Sequence, residues 1–445
     1  MQSYNTQMKI ELLIIPRWII TVNAVNQVLQ HHAVAINDSK ILDILPIDDA
    51  LARYIPEQTV VLAQHALLPG FVNAHTHAAM ALLKGLADDL PLMDWLQHHI
   101  WPAEARWADA EFVYDGAKLA IAEMLRSGTT CFNDMYFFPE ATAKAVEESG
   151  IRATIGMIRI DFPTAWASTQ EEYQQKGWAL RESFRDKPLL NALFAPHAPY
   201  TVSDEPLQQM HALAVEHDIP LHMHVHETAF EVMQATEQHG ERPLARLARL
   251  GLLDQHFLAV HMTQLSDEEI ALLAEKGTHV VHCPESNLKL ASGFCPIAKL
   301  SAAGVNVALG TDGNASNNDL DMLGEMHTAA LLAKAVAGDA SAIPASQALR
   351  MATINGAKAL GLDHAIGSLE LGKAADLIAI DFGVLESQPL YDPVSHLVYC
   401  TTRNQITHTW VNGRLLLDNR QLTTLDEAAL IANAQAWQAK IGETP

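Results

Sequence analysis

The sequence predicts an α/β protein: a (β/α)8 TIM barrel with a small β-sandwich domain formed by the N- and C-terminal segments. Three observations predict it. Eight short apolar runs alternate with amphipathic, helix-length segments through the middle of the chain. Nearly every run carries its His, Asp or Asn at the C-terminal end, and both ends of the chain have β character. Parallel strands require helical crossovers. Barrel enzymes assemble their sites at the C-terminal rim, whereas a structural histidine has no preference for one end of a strand.

In chain order, residues 9–65 are rich in Ile, Val and Leu, with turn punctuation at Asn37-Asp38-Ser39, and read as several strands. The barrel strands then end in "NAHTH", "TTCFNDMY", "TIGMIRIDF", "NALFAPHAPY", "PLHMHVHE", "HFLAVH", "THVVHC" and "VNVALGTDG". The segments "AADLIAIDF" and "NQITHTWVNGRLLLDNR" return to β character, the second with an Asn-Gly turn at 412–413. This gives a catalytic barrel over residues 67–369 and a composite small β domain from residues 1–66 and 370–445.

Composition narrows the partners. The chain has 445 residues, 49% of them hydrophobic and 18% charged, which is globular composition. A net charge of −23 argues against nucleic acid or an anionic membrane as partner. Cys131, Cys283, Cys295 and Cys400 show no framework spacing and read as buried, reduced thiols. The first 20 residues lack a basic region followed by an apolar run and a cleavage site, and Arg17 interrupts the apolar stretch, so a cytoplasmic protein is expected.

The chemistry begins at "LLPGFVNAHTH", where alternation along a short strand puts His75 and His77 on one face. In "PLHMHVHET", same-face histidines are separated by about 6.6 Å, so one of His222, His224 and His226 reaches a rim metal. His224 is that ligand and Glu227 the adjacent carboxylate; His222 lies a layer deeper, and it and His226 are left to hydrogen-bond backbone. His261 closes "LAVHM" and Asp312 closes "VALGTDG". His75, His77, His224 and Asp312 then form a nitrogen and oxygen set suited to Zn²⁺ or Fe²⁺ rather than Mg²⁺. Such an ion lowers the pKa of bound water towards about 7. Asp312 is placed to accept the water's proton, His261 to hydrogen-bond the resulting hydroxide, and Glu227 to protonate a substrate ring nitrogen. No lysine lies near the end of the fourth strand to bridge a second metal, so one ion per subunit is expected.

Several longer stretches resemble the amidohydrolase superfamily, and within it the 5-methylthioadenosine/S-adenosylhomocysteine deaminases and their chlorohydrolase relatives. They are "PGFVNAHTHAAMALLKGLADDLPLMDWL", "GTTCFNDMYF", "PHAPYTVS", "HMHVHET", "HCPESNLKLASG" and "LGTDGNASNNDLDM", with "MATINGAKALGL" and "GSLELGKAADLIAID" extending the match. The resemblance implies metal ligands His75, His77, His224 and Asp312, one Zn²⁺ per subunit with Fe²⁺ or Mn²⁺ as substitutes, Glu227 as proton shuttle to purine N1, and His261 as partner of the attacking water. It implies that Glu104 in "WPAEARW" accepts the ribose hydroxyls, that His197 in "PHAPY" contacts the nucleoside, and that Trp95 in "MDWL" packs near the substrate. The expected reaction is attack of metal-bound hydroxide on purine C6, releasing ammonia and the hypoxanthine nucleoside.

One departure bears on substrate. Relatives that bind S-adenosylhomocysteine well use arginines from the third strand and its loop, whereas here Met157 aligns with one of them and the loop offers Trp166. Methylthioadenosine is therefore ranked first, with S-adenosylhomocysteine and adenosine slower, although Arg159 lies close in register. The rival readings are a guanine or pterin deaminase or a triazine chlorohydrolase on the same scaffold and, from another class, a non-catalytic metal or nucleoside binder. Oligomeric state is not legible beyond the tendency of such barrels to pair.

Overall fold

The computed structural model describes residues 7–442. Its centre is a set of eight parallel strands hydrogen-bonded in chain order: Phe71–Thr76, Thr129–Asp134, Arg152–Arg159, Leu190–Pro196, Leu221–Val225, Phe257–His261, His279–His282 and Val307–Leu309. All eight predicted strands are present. Most are buried along their whole length, because helices cover the outer face and side chains fill the lumen.

The outer helices start and stop on local signals. Ser266 caps helix Asp267–Lys276 through a reciprocal capping box with Glu269, and Gly277 ends it at φ 72°. Asp109, Thr169 and Thr228 cap helices Ala110–Arg126, Gln170–Glu182 and Ala229–His239 in the same way, each accepting one backbone N–H.

The barrel closes where the chemistry sits. The first and eighth strands meet through Asp312 N–H donating to His75 O at 3.0 Å and through paired side-chain contacts between Asn73 and Thr311 at 2.8 and 3.0 Å. Gly310 makes this approach feasible, since a Cβ there would lie 2.8 Å from both His75 Cβ and His75 N.

The terminal segments build one nine-stranded sheet, in which Met8–Ile20 runs parallel to Tyr54–Pro69 and the C-terminal strands add on antiparallel. The Asn412-Gly413 turn has φ of 51° and 77°, as a two-residue hairpin requires. Two features of these segments were not anticipated. Residues Ile47–Arg53 form a short helix between strands, and Glu427–Gly442 form a helix that leaves the sheet to pack on the barrel. There the Trp437 indole N–H donates to Asp115 at 2.8 Å and its ring meets Phe112 edge-on. A buried bidentate pair, Arg152 to Asp376 at 2.8 and 3.1 Å, ties the third barrel strand to the segment leading into Leu377–Asp381.

All four cysteines are free; Cys131, Cys283 and Cys295 are buried, but Cys400 is exposed at the end of a short helix, correcting the expectation for that residue. The leader reading falls partly on residues 1–6, which lie outside the described residues. Among the described residues no helix is long and apolar enough to cross a membrane.

Candidate active site

The rim gathers the predicted ligands. His75, His77, His224 and Asp312 each offer one ligand atom, and the four atoms lie within 4.8 Å of one another. Asp312 Oδ1 is 3.2 Å from Nε2 of both His75 and His77, and the Nε2 atoms of His77 and His224 are 3.3 Å apart. A tetrahedral site with Zn–N bonds of ~2.0–2.1 Å has ligand–ligand edges of roughly 3.3–3.4 Å. The observed spacings match that frame.

Hydrogen bonding on the far side of each ring decides what faces the centre. His77 Nδ1 donates to Met135 O at 2.6 Å, and His224 Nδ1 donates to His197 O at 2.7 Å. His75 Nδ1 pairs with His222 Nε2 at 3.0 Å. The first two of these bonds leave Nε2 of His77 and His224 as acceptors facing the centre, beside the Asp312 carboxylate oxygen. Such a cluster of acceptors is stabilised by a cation. Burial pulls the His77 imidazole down, yet Asp312 reverses this and lifts it to about 9. Burial outweighs Asp312 at His75, which falls to about 4. The shared carboxylate oxygen thus calls for positive charge at the centre, which a proton on His77 meets in the absence of metal and which the donor set can meet with a divalent ion.

Four residues of this rim, His226, His261, Met262 and Asp312, adopt positive φ of 54°, 74°, 49° and 62°. L-residues adopt that region at a steric cost that the surrounding structure must hold. At His226 the strand turns away from the ligand centre. Its ring accepts Leu244 N–H at 3.1 Å and meets Gln264 O at 3.0 Å, as expected of a backbone-bonded histidine. His222 departs from that expectation, because its partner is the ring of His75.

Glu227 lies beside the cluster, with Oε2 3.9 Å from His261 Nε2 and Ser292 Oγ 3.5 Å from Oε1. Burial is the main influence on its carboxyl and raises its pKa despite His261. Its backbone N–H donates to Glu231 at 2.7 Å, as does that of His226 at 3.2 Å. Glu231 thus holds the bend on which Glu227 sits. His261 Nδ1 pairs with Asn287 Oδ1 at 2.9 Å, and its ring stacks on His224.

The residues expected at the substrate fare differently. Glu104, half-buried on helix Trp101–Trp107, accepts the Tyr136 hydroxyl at 2.7 Å. Its surroundings push it up to about 7 by desolvation, against Tyr136 and the charge of His77, which places it within electrostatic reach of the metal ligands. His197 has a double position: its carbonyl fixes His224, while its ring lies 5.0 Å from the His224 ring with Nδ1 on Thr201. Burial lowers that ring to about 3, so it stays neutral. Trp95 is buried in an apolar cluster with Met80 and Ile100, and its N–H has no protein partner.

The third strand bears on the substrate tail. Met157 Cβ lies 3.2 Å from where a Cβ on Gly177 would sit, so Met157 faces the outer helix Gln170–Glu182. Arg159, two residues on, bonds Gln170 of that helix. Trp166 is buried against Tyr173, its N–H on Glu140 at 3.1 Å. None of the three is oriented to select a substrate tail.

Comparison with known proteins agrees with this geometry. The family model described as "Amidohydrolase family" matches residues 66–416. A 5-methylthioadenosine/S-adenosylhomocysteine deaminase of Saccharophagus degradans is 51% identical over 431 residues, covering 97% of each chain. The crystal structure of an adenosine deaminase from Xanthomonas campestris with bound zinc superposes with a TM-score of 0.97 at 52% identity, over 98% of this chain and 99% of that one. A zinc-complexed atrazine chlorohydrolase from Arthrobacter aurescens has a TM-score of 0.89 over 96% of this chain and 99% of that one, but at 22% identity it shares the fold alone.

Proposed function

This chain belongs to the amidohydrolase family, and we propose that it deaminates 5′-methylthioadenosine, S-adenosylhomocysteine and adenosine hydrolytically, to the hypoxanthine nucleoside and ammonia. The observation that carries this reading is the meeting of a three-histidine, one-aspartate set with a buried Glu227, whose pKa burial raises, at one rim. His75, His77, His224 and Asp312 would hold a divalent ion, zinc by their donor chemistry, which would supply a Lewis acid able to lower the pKa of a water.

The chain's own groups do the rest. Glu227, whose carboxyl burial makes easier to protonate, donates a proton to N1 as C6 is attacked, which removes the negative charge that would build on the ring, and regains one from the C6 hydroxyl as the amine leaves. His261, with its Nδ1 proton committed to Asn287, offers Nε2 to an O–H of the attacking water. Asp312 takes the water's proton and returns it to the amino group, which leaves as ammonia. Glu104, fixed by Tyr136, receives the ribose hydroxyls, while His197 contacts the nucleoside from the fourth strand and Trp95 backs the apolar wall. Glu104 is the feature that favours a nucleoside over guanine, pterin or triazine, since those rings carry no ribose diol.

With Arg159 held by Gln170 and no arginine in the loop after the third strand, no cation of this strand is placed to grip an amino-acid carboxylate, which favours methylthioadenosine over S-adenosylhomocysteine. A cytoplasmic enzyme acting on a small molecule is part of this reading, and the charge of −23 accords with a partner other than nucleic acid or an anionic membrane. Comparing kcat/KM for the three nucleosides with guanine and a chlorotriazine tests the reading. Nucleoside turnover at least a hundredfold above the others is expected, and preference for a ring without ribose would overturn it.

A further inference from the structure

The stretch "HCPESN" stood out in the sequence with no role attached, and its place in the fold supplies one. The seventh strand, His279–His282, lies between the strand that ends in His261 and the strand that leads to Asp312. A short helix, Pro284–Lys289, follows it directly at the rim. Consecutive residues on a helix point about 100° apart. Two neighbours there can therefore reach the strands on either side.

They do. Ser286 Oγ donates to Asp312 Oδ2 at 2.7 Å, and Ser316 Oγ donates to the same oxygen at 2.9 Å. Gly313 N–H donates to Oδ1 at 2.9 Å. The carboxylate is thereby rotated so that Oδ1 faces the histidines, where it lies 3.2 Å from two of them. On the other side, Asn287 Oδ1 receives Nδ1–H of His261 at 2.9 Å. That bond selects the tautomer whose Nε2 is free to accept. Ser286 and Asn287 are 0% and 1% exposed, and Asn287 Nδ2 has no protein partner. Burying an amide with half its hydrogen bonds unmade is unfavourable unless the other half is needed.

We propose that Ser286 and Asn287 are paired positioning residues: Ser286, with Ser316, aims the Asp312 carboxylate at the metal ligands, and Asn287 fixes the His261 tautomer. This rests on the deaminase reading for the role of His261, but not for the orientation of Asp312, whose effect on metal binding is read without turnover. The two arms therefore separate in experiment. Partners of this kind change metal affinity or activity roughly 10–100-fold.

The test compares N287L, N287D and the double variant S286A/S316A with the zinc-loaded wild type, measuring kcat and KM for methylthioadenosine and zinc affinity by chelator competition. N287L removes the acceptor at similar volume and should lower kcat by roughly 100-fold. Its KM and zinc affinity should stay within about threefold. N287D keeps the accepting oxygen and should recover most of the lost kcat. S286A/S316A should weaken zinc binding roughly 10–100-fold. Equal losses for N287D and N287L would overturn the tautomer role, as would full activity of N287L. Should N287L not fold, N287D decides alone, since loss of turnover with zinc bound contradicts the acceptor role. Unchanged zinc affinity in the serine double variant would overturn the aiming role. A wild type that binds zinc and deaminates no nucleoside would fail the functional reading, and the zinc arm would still be decided.

Discussion

Replacing Glu227 by Gln separates proton transfer from everything else the rim does. Gln keeps the volume and still hydrogen-bonds N1, but it has no acidic proton. Glu227 is not among the four converging ligands, so metal binding should survive. General acid–base catalysis contributes typically 10²–10⁴-fold, or about 2.7–5.5 kcal/mol of barrier, and kcat for methylthioadenosine should fall by that factor. Stability should move the other way. Burial raises the Glu227 pKa in the folded protein. Ionising it then becomes unfavourable to folding once pH passes the unfolded value of about 4.3, and the penalty is complete above the folded pKa. The wild type therefore carries a penalty at pH 8 that is smaller near pH 5 and absent below the unfolded value, and the variant escapes it. Steady-state kinetics with zinc content measured on the same sample, and melting curves at both pH values, check both halves. A fully metallated Gln variant with near wild-type kcat would refute the proton-carrier role. A variant that melts lower than wild type at pH 8 would refute the reasoning about burial.

Other perturbations probe neighbouring parts of the account. Gly310→Ala places a Cβ 2.8 Å from His75 Cβ, so the seam must shift and zinc affinity should fall roughly 10–100-fold, read by chelator competition. Glu104→Gln removes a charge-assisted contact with the ribose diol worth about 1.5–3 kcal/mol; kcat/KM should drop roughly ten- to a hundredfold for adenosine, with no change for any residual action on free adenine. Asp376→Ala strands the Arg152 guanidinium at 5% exposure, and urea denaturation should show a loss of about 3–5 kcal/mol, much of it recovered in the R152M/D376A double variant.

The strands and the four ligands were legible because both leave local marks. Each strand is a short apolar run between helical segments, and each ligand sits where that run ends. What holds the ligands was not legible, because the partners are far apart in the chain: His222 reaches His75 across 147 residues and Ser286 reaches Asp312 across 26. The carbonyls of Met135 and His197 that fix two tautomers carry no residue signature at all. The face that Met157 presents was illegible for a different reason. A parallel strand buried on both sides has apolar residues at every position, so its sequence does not say which parity faces the lumen. Helix Glu427–Gly442 was hidden because its role is to cover another helix, a relation set by tertiary packing through Trp437.

The central claim is that one zinc held by His75, His77, His224 and Asp312 lets this chain deaminate an adenine nucleoside. Following the ultraviolet change from adenine to hypoxanthine in 5′-methylthioadenosine, with ammonia counted in parallel, tests it most directly. The account predicts one ammonia per nucleoside converted, arrest by a chelator, and recovery when zinc is restored. A fully metallated sample that converts none of methylthioadenosine, S-adenosylhomocysteine and adenosine would contradict it.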